Sequence, residues 1–382
     1  MRNKNYAMNP FITTGYKGAE YFCDRVKETE NIVSLITNGN NVALISPRRL
    51  GKTDLLKHCF EQEDLKDTYY TFIIDIYSTK SLTEMVDKLG RSILKTLQPK
   101  GESAWNKFLS ALKSIRSGIS YDAAGVPSWT LELGEIKNPS VTLDEIFGYI
   151  ESAEKPCVVA IDEFQQITRY EENNIEALLR TYVQNSRNAN FIFSGSHRTM
   201  MAEIFVSPNR PFYQSVTLMS LDVIPQDVYF EFCNEKFVQA GKGLSKDVVS
   251  DLYEMFDGVT FYLQRMMNEM FAMTPAGECC GVEAIVTALN KILDNSSYIY
   301  EDLLYQLPEK QSIVLKAIAR ENKAEKIMSA DFVRKYSLGS ASSVMSAVNG
   351  LLDKGILTKN RSEYFVYDHF LKFWLNGAQS KD

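Results

Sequence analysis

An α/β fold built on a parallel sheet is predicted by two motifs and by what surrounds them. The first is an apolar run, Val42-Ala43-Leu44-Ile45, that breaks at Ser46-Pro47 and continues as Arg48-Arg49-Leu50-Gly51-Lys52-Thr53. Asp54-Leu55-Leu56-Lys57-His58 then has the pattern of a starting helix. Strand, loop, Gly-Lys-Thr, helix is the context in which loop N–H groups and a helix N-terminus converge on phosphate. The second motif is Cys157-Val158-Val159-Ala160-Ile161, fully apolar and ending in Asp162-Glu163. Such a run is a buried parallel strand that delivers acids to the carboxyl edge of a sheet, where open α/β sheets hold ligands.

The residue types at these positions suit nucleotide chemistry. Pro47, Arg48, Arg49, Leu50, Gly51, Lys52, Thr53 and Asp54 are candidate contacts to ATP, with Lys52 reaching the β- and γ-phosphates. The Thr53 hydroxyl and the Asp162 carboxylate are candidate Mg2+ ligands. Glu163 is the candidate catalytic group with Lys52, polarising the attacking water as a general base or positioning it. Ser46 occupies the place where the full pattern opens with glycine, so the arch has to form without that glycine's freedom at positive φ.

Composition narrows the class. A chain of 382 residues holds two or three domains, and 45% hydrophobic with 24% charged residues is an ordinary globular balance. No stretch approaches the length of a membrane span, and no apolar segment follows Met1–Tyr6. The six cysteines are scattered without metal spacing and there are three histidines, which excludes a zinc pattern and predicts buried, reduced thiols. The expected setting is a reducing cytoplasm, with no membrane partner. From Pro308 to the end there are twelve Lys/Arg against eight Asp/Glu, so a net charge of −6 covers a basic C-terminal part on an acidic body. That asymmetry is a hint of nucleic acid.

Taken in order, residues 1–20 are irregular, and a helix follows Phe22-Cys23-Asp24-Arg25 until Asn38-Gly39-Asn40 stops it. Phe22 and Arg25 either border an adenine ring or form a helix cap with a surface arginine. Tyr69–Tyr77 is a second buried strand, whose Asp75 either faces the nucleotide or forms a turn. Leu82 to Leu97 and Trp105 to Ile115 are helices, and Gly118–Tyr121 with Trp129–Leu133 is a β-hairpin that interrupts the alternation. Ser140 is the expected N-cap of the next helix. A helix over Ile175–Val183 precedes the strand Phe191-Ile192-Phe193, which ends in Ser194-Gly195-Ser196-His197-Arg198. In P-loop ATPases with an added strand, that strand end senses γ-phosphate, so Ser196 or Arg198 is a candidate contact, the alternative being a turn. Arg210 is a further cationic candidate. Ser220–Ile224 is the closing strand.

Helices over Gln226–Ala240, Lys246–Phe256 and Phe261–Phe271, with Gly258 as a helix-ending glycine, make a small lid, to which Val282–Leu293 and Ser297–Tyr305 add. Glu309–Arg320, Ala330–Tyr336 and Ser340–Leu352 followed by a hairpin through Asn360-Arg361 form a winged helix. Its third helix carries no Arg or Lys until Lys354, so the face suits packing or a protein contact better than base reading. The expected divisions are a nucleotide core over 1–224 with the hairpin insertion near 117–139, a lid over 225–307 and a winged-helix domain over 308–382.

These motifs together resemble the prokaryotic P-loop ATPases of archaeal type, relatives of the AAA+ and STAND ATPases. The resemblance rests on Phe22-x-x-Arg25, Pro47-Arg48-Arg49-x-Gly51-Lys52-Thr53 (Walker A), Ile161-Asp162-Glu163-Phe164-Gln165 (Walker B) and Gly195-Ser196-His197-Arg198. Gly258 with Tyr262-Leu263 is similar to the family's lid motif, with Thr260 where proline is usual, and Tyr364 to Trp374 is similar to its C-terminal ending. The resemblance implies a slow Mg2+-dependent ATPase that works as a conformational switch. It also implies that Arg198 or Arg210 senses γ-phosphate in cis or from a neighbouring subunit. Duplex DNA on the winged helix, a protein partner in defence or signalling, and self-association stay open as partners.

Overall fold

The computed structural model describes residues 8–97, 99, 102–114, 119–121, 127–129, 136–321 and 323–378. Among these the chain divides into two compact units. One comprises Thr14–Tyr229 with Val259–Phe261; the other comprises 8–13, Phe230–Gly258 and 262–378.

In the first unit, α1 (Val26–Thr37) leads to β1 (Val42–Ile45), α2 (Lys52–Phe60) and the short α3 (Glu63–Lys66). Next come β2 (Tyr70–Asp75), α4 (Leu82–Leu97) and α5 (Glu102–Ala111). A two-stranded ribbon follows, β3 (Ile119–Tyr121) and β4 (Pro127–Trp129), paired antiparallel with Ser120 opposite Ser128. The second strand starts earlier than expected, and Thr130–Leu133 lie outside the described residues. α6 (Pro139–Ser152), β5 (Cys157–Asp162), a 3-10 turn at Phe164–Arg169, α7 (Ile175–Asn185), β6 (Ala189–Gly195), α8 (Arg198–Val206) and β7 (Thr217–Ser220) complete it.

The five long strands form one parallel sheet in the order β2-β5-β6-β1-β7. Successive side chains on a strand point to opposite faces, so both faces of this sheet are apolar. Val42, Leu44, Val158, Ala160 and Ile192 pack toward α1 and α2 on one side. Ala43, Phe72, Ile74, Val159, Ile161, Phe191 and Phe193 pack toward α4, α6 and α7 on the other. Ala43 stands opposite Phe193 and Val159 opposite Phe191 in this register. The ends of β1, β6 and β5 are thereby adjacent along one edge.

Three local expectations are corrected. The N-cap of α6 is Asn138, whose side chain accepts from the Val141 N–H, because Pro139 is suited to the first helical position and displaces the start from Ser140. The closing strand is Thr217–Ser220, pulled upstream by in-register pairing of Val42–Ile45 with it. Asp75 Oδ1 accepts from the Tyr77 N–H at 2.8 Å, the turn-forming alternative.

The chain then runs through α9 (Gln226–Gln239), β8 (Gly243–Leu244), α10 (Lys246–Phe256), α11 (Thr260–Met273), β9 (Cys279–Cys280) and α12 (Glu283–Gln306), all in the second unit apart from Gln226–Tyr229 and Thr260–Phe261. α12 is one unbroken helix, not two. Phe11 is fully buried against Phe232, Phe237 and Phe271, so the N-terminal segment expected to be irregular is part of this core. Asp257 and Gly258 both have positive φ, 50° and 68°, ending α10 as expected of that glycine. α13 (Glu309–Glu321), α14 (Ala330–Lys335), α15 (Ala341–Asp353), β10 (Leu357–Asn360), β11 (Glu363–Val366) and α16 (His369–Ala378) give three helices, a hairpin wing and a final helix. Ser340 caps α15 by accepting from the Ser343 N–H at 3.2 Å. All six cysteines are free thiols; Cys279 is exposed, against expectation, and the other five are buried.

Candidate active site

The site grows out of the ends of β1, β5 and β6. Ser46 continues β1, its N–H donating to the Gly195 carbonyl of β6 at 3.2 Å. The positive φ that the arch requires falls on Arg49 (70°) and Gly51 (87°), and Ser46 is not left-handed. The missing first glycine therefore leaves the loop intact: the turn is made three and five residues later. Gly51 precedes α2 as its N-cap, so the first N–H groups of a nine-residue helix open onto the loop.

Lys52 is 5% exposed and its ammonium donates to the Ser46 and Pro47 carbonyls at 2.9 and 3.0 Å. Burial lowers its pKa from the usual lysine value, while the neighbouring Glu163 and Asp162 carboxylates oppose that shift. These two carbonyl bonds hold the cation across the loop. Thr53 donates its hydroxyl directly to Asp162 Oδ2, while Asp162 Oδ1 accepts from the Glu163 N–H at 3.0 Å. A hydroxyl and a carboxylate in contact are hard oxygen donors, the set that suits Mg2+. Asp54 lies one residue further along α2, beside Lys57, with its pKa raised by burial.

Glu163 adopts the left-handed region (φ 57°), an unusual state for a residue with a Cβ. Its Oε2 accepts from Gln165 Nε2 and from Ser196 Oγ, both at 2.6 Å. Ser196 in turn accepts from Arg48 Nε at 3.1 Å, and the Arg48 guanidinium lies 4.9 Å from the Tyr77 ring centre. Loop, acid strand and inserted strand are thus joined by one run of hydrogen bonds. Gly195 makes room for it: a Cβ there would collide with Gln165 Oε1 and Met201 Sδ. Gln165 is the residue whose part the sequence does not disclose. Its only signal is an amide two residues past an acid at a strand end.

The remaining candidates separate. Arg25 is 3% exposed, paired with Glu28 at 2.8 Å and 3.5 Å from the Leu50 carbonyl of the loop. It holds the N-cap position of α1 with φ 67° but its side chain makes no capping hydrogen bond, and the arginine is interior, not on the surface. Phe22 stacks on His58 with ring centres 4.5 Å apart. Arg198 is exposed at the first turn of α8. Arg210 is ion-paired with Glu176 and lies 3.6 Å from Glu203. Arg49 lies 4.9 Å from the Phe261 ring centre, and its carbonyl accepts from the Phe261 N–H at 3.1 Å.

A family profile described as "ATPase domain predominantly from Archaea" matches residues 22–266, well over half of the chain. The chain belongs to this ATPase family. A second profile, "Probable winged helix domain", matches 298–377. Among solved structures, the chain is similar to the Walker-type ATPase PABY2304 of Pyrococcus abyssi, with 18% identity over 96% of this chain and 99% of that one and a TM-score of 0.64. It is similar in fold to the Aeropyrum pernix ORC2 protein, solved as ADPNP–ADP complexes (12% identity, 98% and 99% covered, TM-score 0.56). The Aeropyrum pernix ORC1 protein in complex with DNA is another such likeness (11%, 94% and 93%, TM-score 0.52). No curated protein matches. This family member is an ATP-binding ATPase with β1, β5 and β6 adjacent in one parallel sheet and a winged-helix domain matched toward its C-terminal end.

Proposed function

We propose that this ATPase is a nucleotide-driven conformational switch, with Mg-ATP held by Pro47–Thr53 and its hydrolysis coupled to the start of α11. The Arg49–Phe261 contact carries this reading. Val259–Phe261, where α11 begins, are grouped with the phosphate-loop unit, and α11 runs on from them into the other unit. An arch that reshapes around phosphate would pull on that junction.

In the chemical step, the oxygen of a water held by Glu163 bonds to the γ-phosphorus as the bond to the β–γ bridging oxygen breaks. ADP and phosphate leave, and the water proton passes to Glu163 or to the phosphate. Lys52 exchanges its two carbonyl partners for β- and γ-phosphate oxygens. Thr53 and Asp162 would hold Mg2+, which neutralises charge on the phosphates when bound. Hydrogen exchange along α11, compared between ADP and a non-hydrolysable ATP analogue, tests the coupling. The switch predicts slower exchange in one state and loss of that difference in Phe261→Ala. Identical exchange in both states would contradict it.

A DNA-linked reading is favoured by one observation, the cluster Lys354, Lys359 and Arg361 around the wing hairpin of a part whose third helix lacks basic residues. Phosphate contacts from a wing would make duplex binding salt-dependent and indifferent to sequence. ATP turnover with and without random duplex, at low and moderate salt, separates this from a protein-partnered or self-associating switch.

A further inference from the structure

Tyr70 begins β2 and stands opposite Cys157, which begins β5, so both lie at the end of the sheet away from the phosphate loop. A cavity of about 160 Å3 is lined there by Tyr70, by Ala104, Lys107 and Ala111 of α5, and by Tyr149 of α6 with Glu154 just beyond it. The three α5 residues follow one another at spacings of three and four, which places them on one helix face, and the two alanines leave space that larger side chains would fill. Tyr70 and Tyr149 are each 6% exposed, yet neither hydroxyl has a hydrogen-bond partner among the described residues. A buried phenol usually finds one. Burial, and after it the Glu154 charge, raises the Tyr70 pKa; burial, then Cys157 and Tyr70, raises that of Tyr149. Both hydroxyls therefore keep their protons and can donate as well as accept. Lys107 and Glu154 are ion-paired beside them, each side chain more than half exposed.

We propose that this cavity is a second ligand site, which takes a small neutral heteroaromatic ring, the size of a single-ring nucleobase, with donors and acceptors on its edge. Size sets the first limit: a cavity of about 150 Å3 accepts a benzene ring, and a six-membered heterocycle has the same footprint. The tyrosine rings and alanine methyl groups give apolar walls for the faces of such a ring. The two hydroxyls give its edge hydrogen-bond partners, whereas a purely apolar ring would bury them unsatisfied. Charge sets the second limit. A carboxylate would have to displace Glu154 from Lys107, and an ammonium would have to displace Lys107 from Glu154; either leaves a charge without its partner. A neutral edge leaves that pair intact. The site stands on different residues from the nucleotide site and does not depend on any role of Glu163.

The test is equilibrium dialysis of the full chain against radiolabelled uracil, with binding of a fluorescent ATP analogue measured in parallel. Saturable binding is expected, with a Kd of about a millimolar or below, the range open to a ligand of this size. Unlabelled cytosine should compete and benzoate should not. Tyr149→Phe keeps the ring and removes the hydroxyl; its Kd for uracil is expected to rise about fivefold, the worth of one hydrogen bond. Ala104→Leu fills the cavity and should abolish uracil binding, and both variants should bind the ATP analogue as the parent chain does. Absence of saturable uracil binding overturns the site, leaving the two hydroxyls to water. Uracil binding that survives Ala104→Leu with unchanged Kd overturns its location. Equal Kd in Tyr149→Phe and the parent chain overturns the part given to the hydroxyl, and competition by benzoate overturns the neutral class of ligand.

Discussion

The Thr53 hydroxyl, on the first turn of α2, donates directly to the Asp162 carboxylate at the end of β5, across 109 residues of chain. Only a sheet that sets β1 and β5 on either side of β6 brings the two together. Two hard oxygen donors are thereby set side by side at the sheet edge.

Turnover should therefore depend on Mg2+ and on both oxygens. Asp162→Asn is expected to lower kcat about 100-fold or more, since charge compensation on the phosphates is worth several kcal/mol. Thr53→Ala should cost less, about tenfold, because water can replace a neutral ligand. Titrating Mg2+ at fixed ATP checks both: the half-saturating Mg2+ concentration should rise in each variant. An unchanged Mg2+ dependence would contradict the assignment.

Arg25 braces the loop from within. Arg25→Ala removes the pairing of Glu28 and the approach to the Leu50 carbonyl, and should destabilise the chain by about 2 kcal/mol while raising KM for ATP. Thermal unfolding and kinetics together read the result. A raised KM with an unchanged melting temperature would instead make Arg25 a direct nucleotide contact.

Arg210 gives the opposite split. Glu176 is largely buried, which raises its pKa, and Arg210 lowers it again. Arg210→Ala should lower the melting temperature, at about 1–3 kcal/mol, by leaving that carboxylate unpaired, with KM and kcat little changed. If kcat falls and the melting temperature holds, Arg210 acts on phosphate.

The nucleotide motifs are legible in the sequence because their chemistry is local. Val42–Thr53 and Cys157–Glu163 each carry strand, turn and reactive groups within a dozen residues. What escapes a sequence reading depends on residues distant along the chain. Phe11 is anchored by aromatic side chains more than two hundred residues away, and the hold of Gln165 on Glu163 needs the bare Gly195 of another strand. The parallel pair β8–β9 leaves no trace because two-residue strands carry no periodicity to read. α12 reads as two helices divided near Asn295-Ser296, where weak helix formers are overridden by packing, including Trp374 Nε1 donating to Ser297 Oγ at 3.0 Å.

His369 predicts a pH effect on the second unit. Its ring packs against Tyr262 and Phe256, and burial, followed by the Lys372 charge, lowers its pKa from 6.5 to about 4. Its folded pKa lies below its unfolded one, so between these values the unfolded chain binds the extra proton. The stability contributed is complete above about pH 6.5 and is lost as pH falls toward 4, on the order of 1–3 kcal/mol. Urea midpoints at pH 7 and pH 5 should differ, and the difference should shrink in His369→Gln. An equal difference in that variant would assign it to other groups.

The role of Glu163 is tested most directly by comparing Glu163→Gln with the parent chain in two assays, fluorescent-nucleotide binding and ATP turnover. The account predicts affinity within about threefold of the parent and turnover lower by about 100-fold or more, the worth of a general base. Undiminished turnover would contradict it, and would move the search for the water-polarising group elsewhere along the same sheet edge.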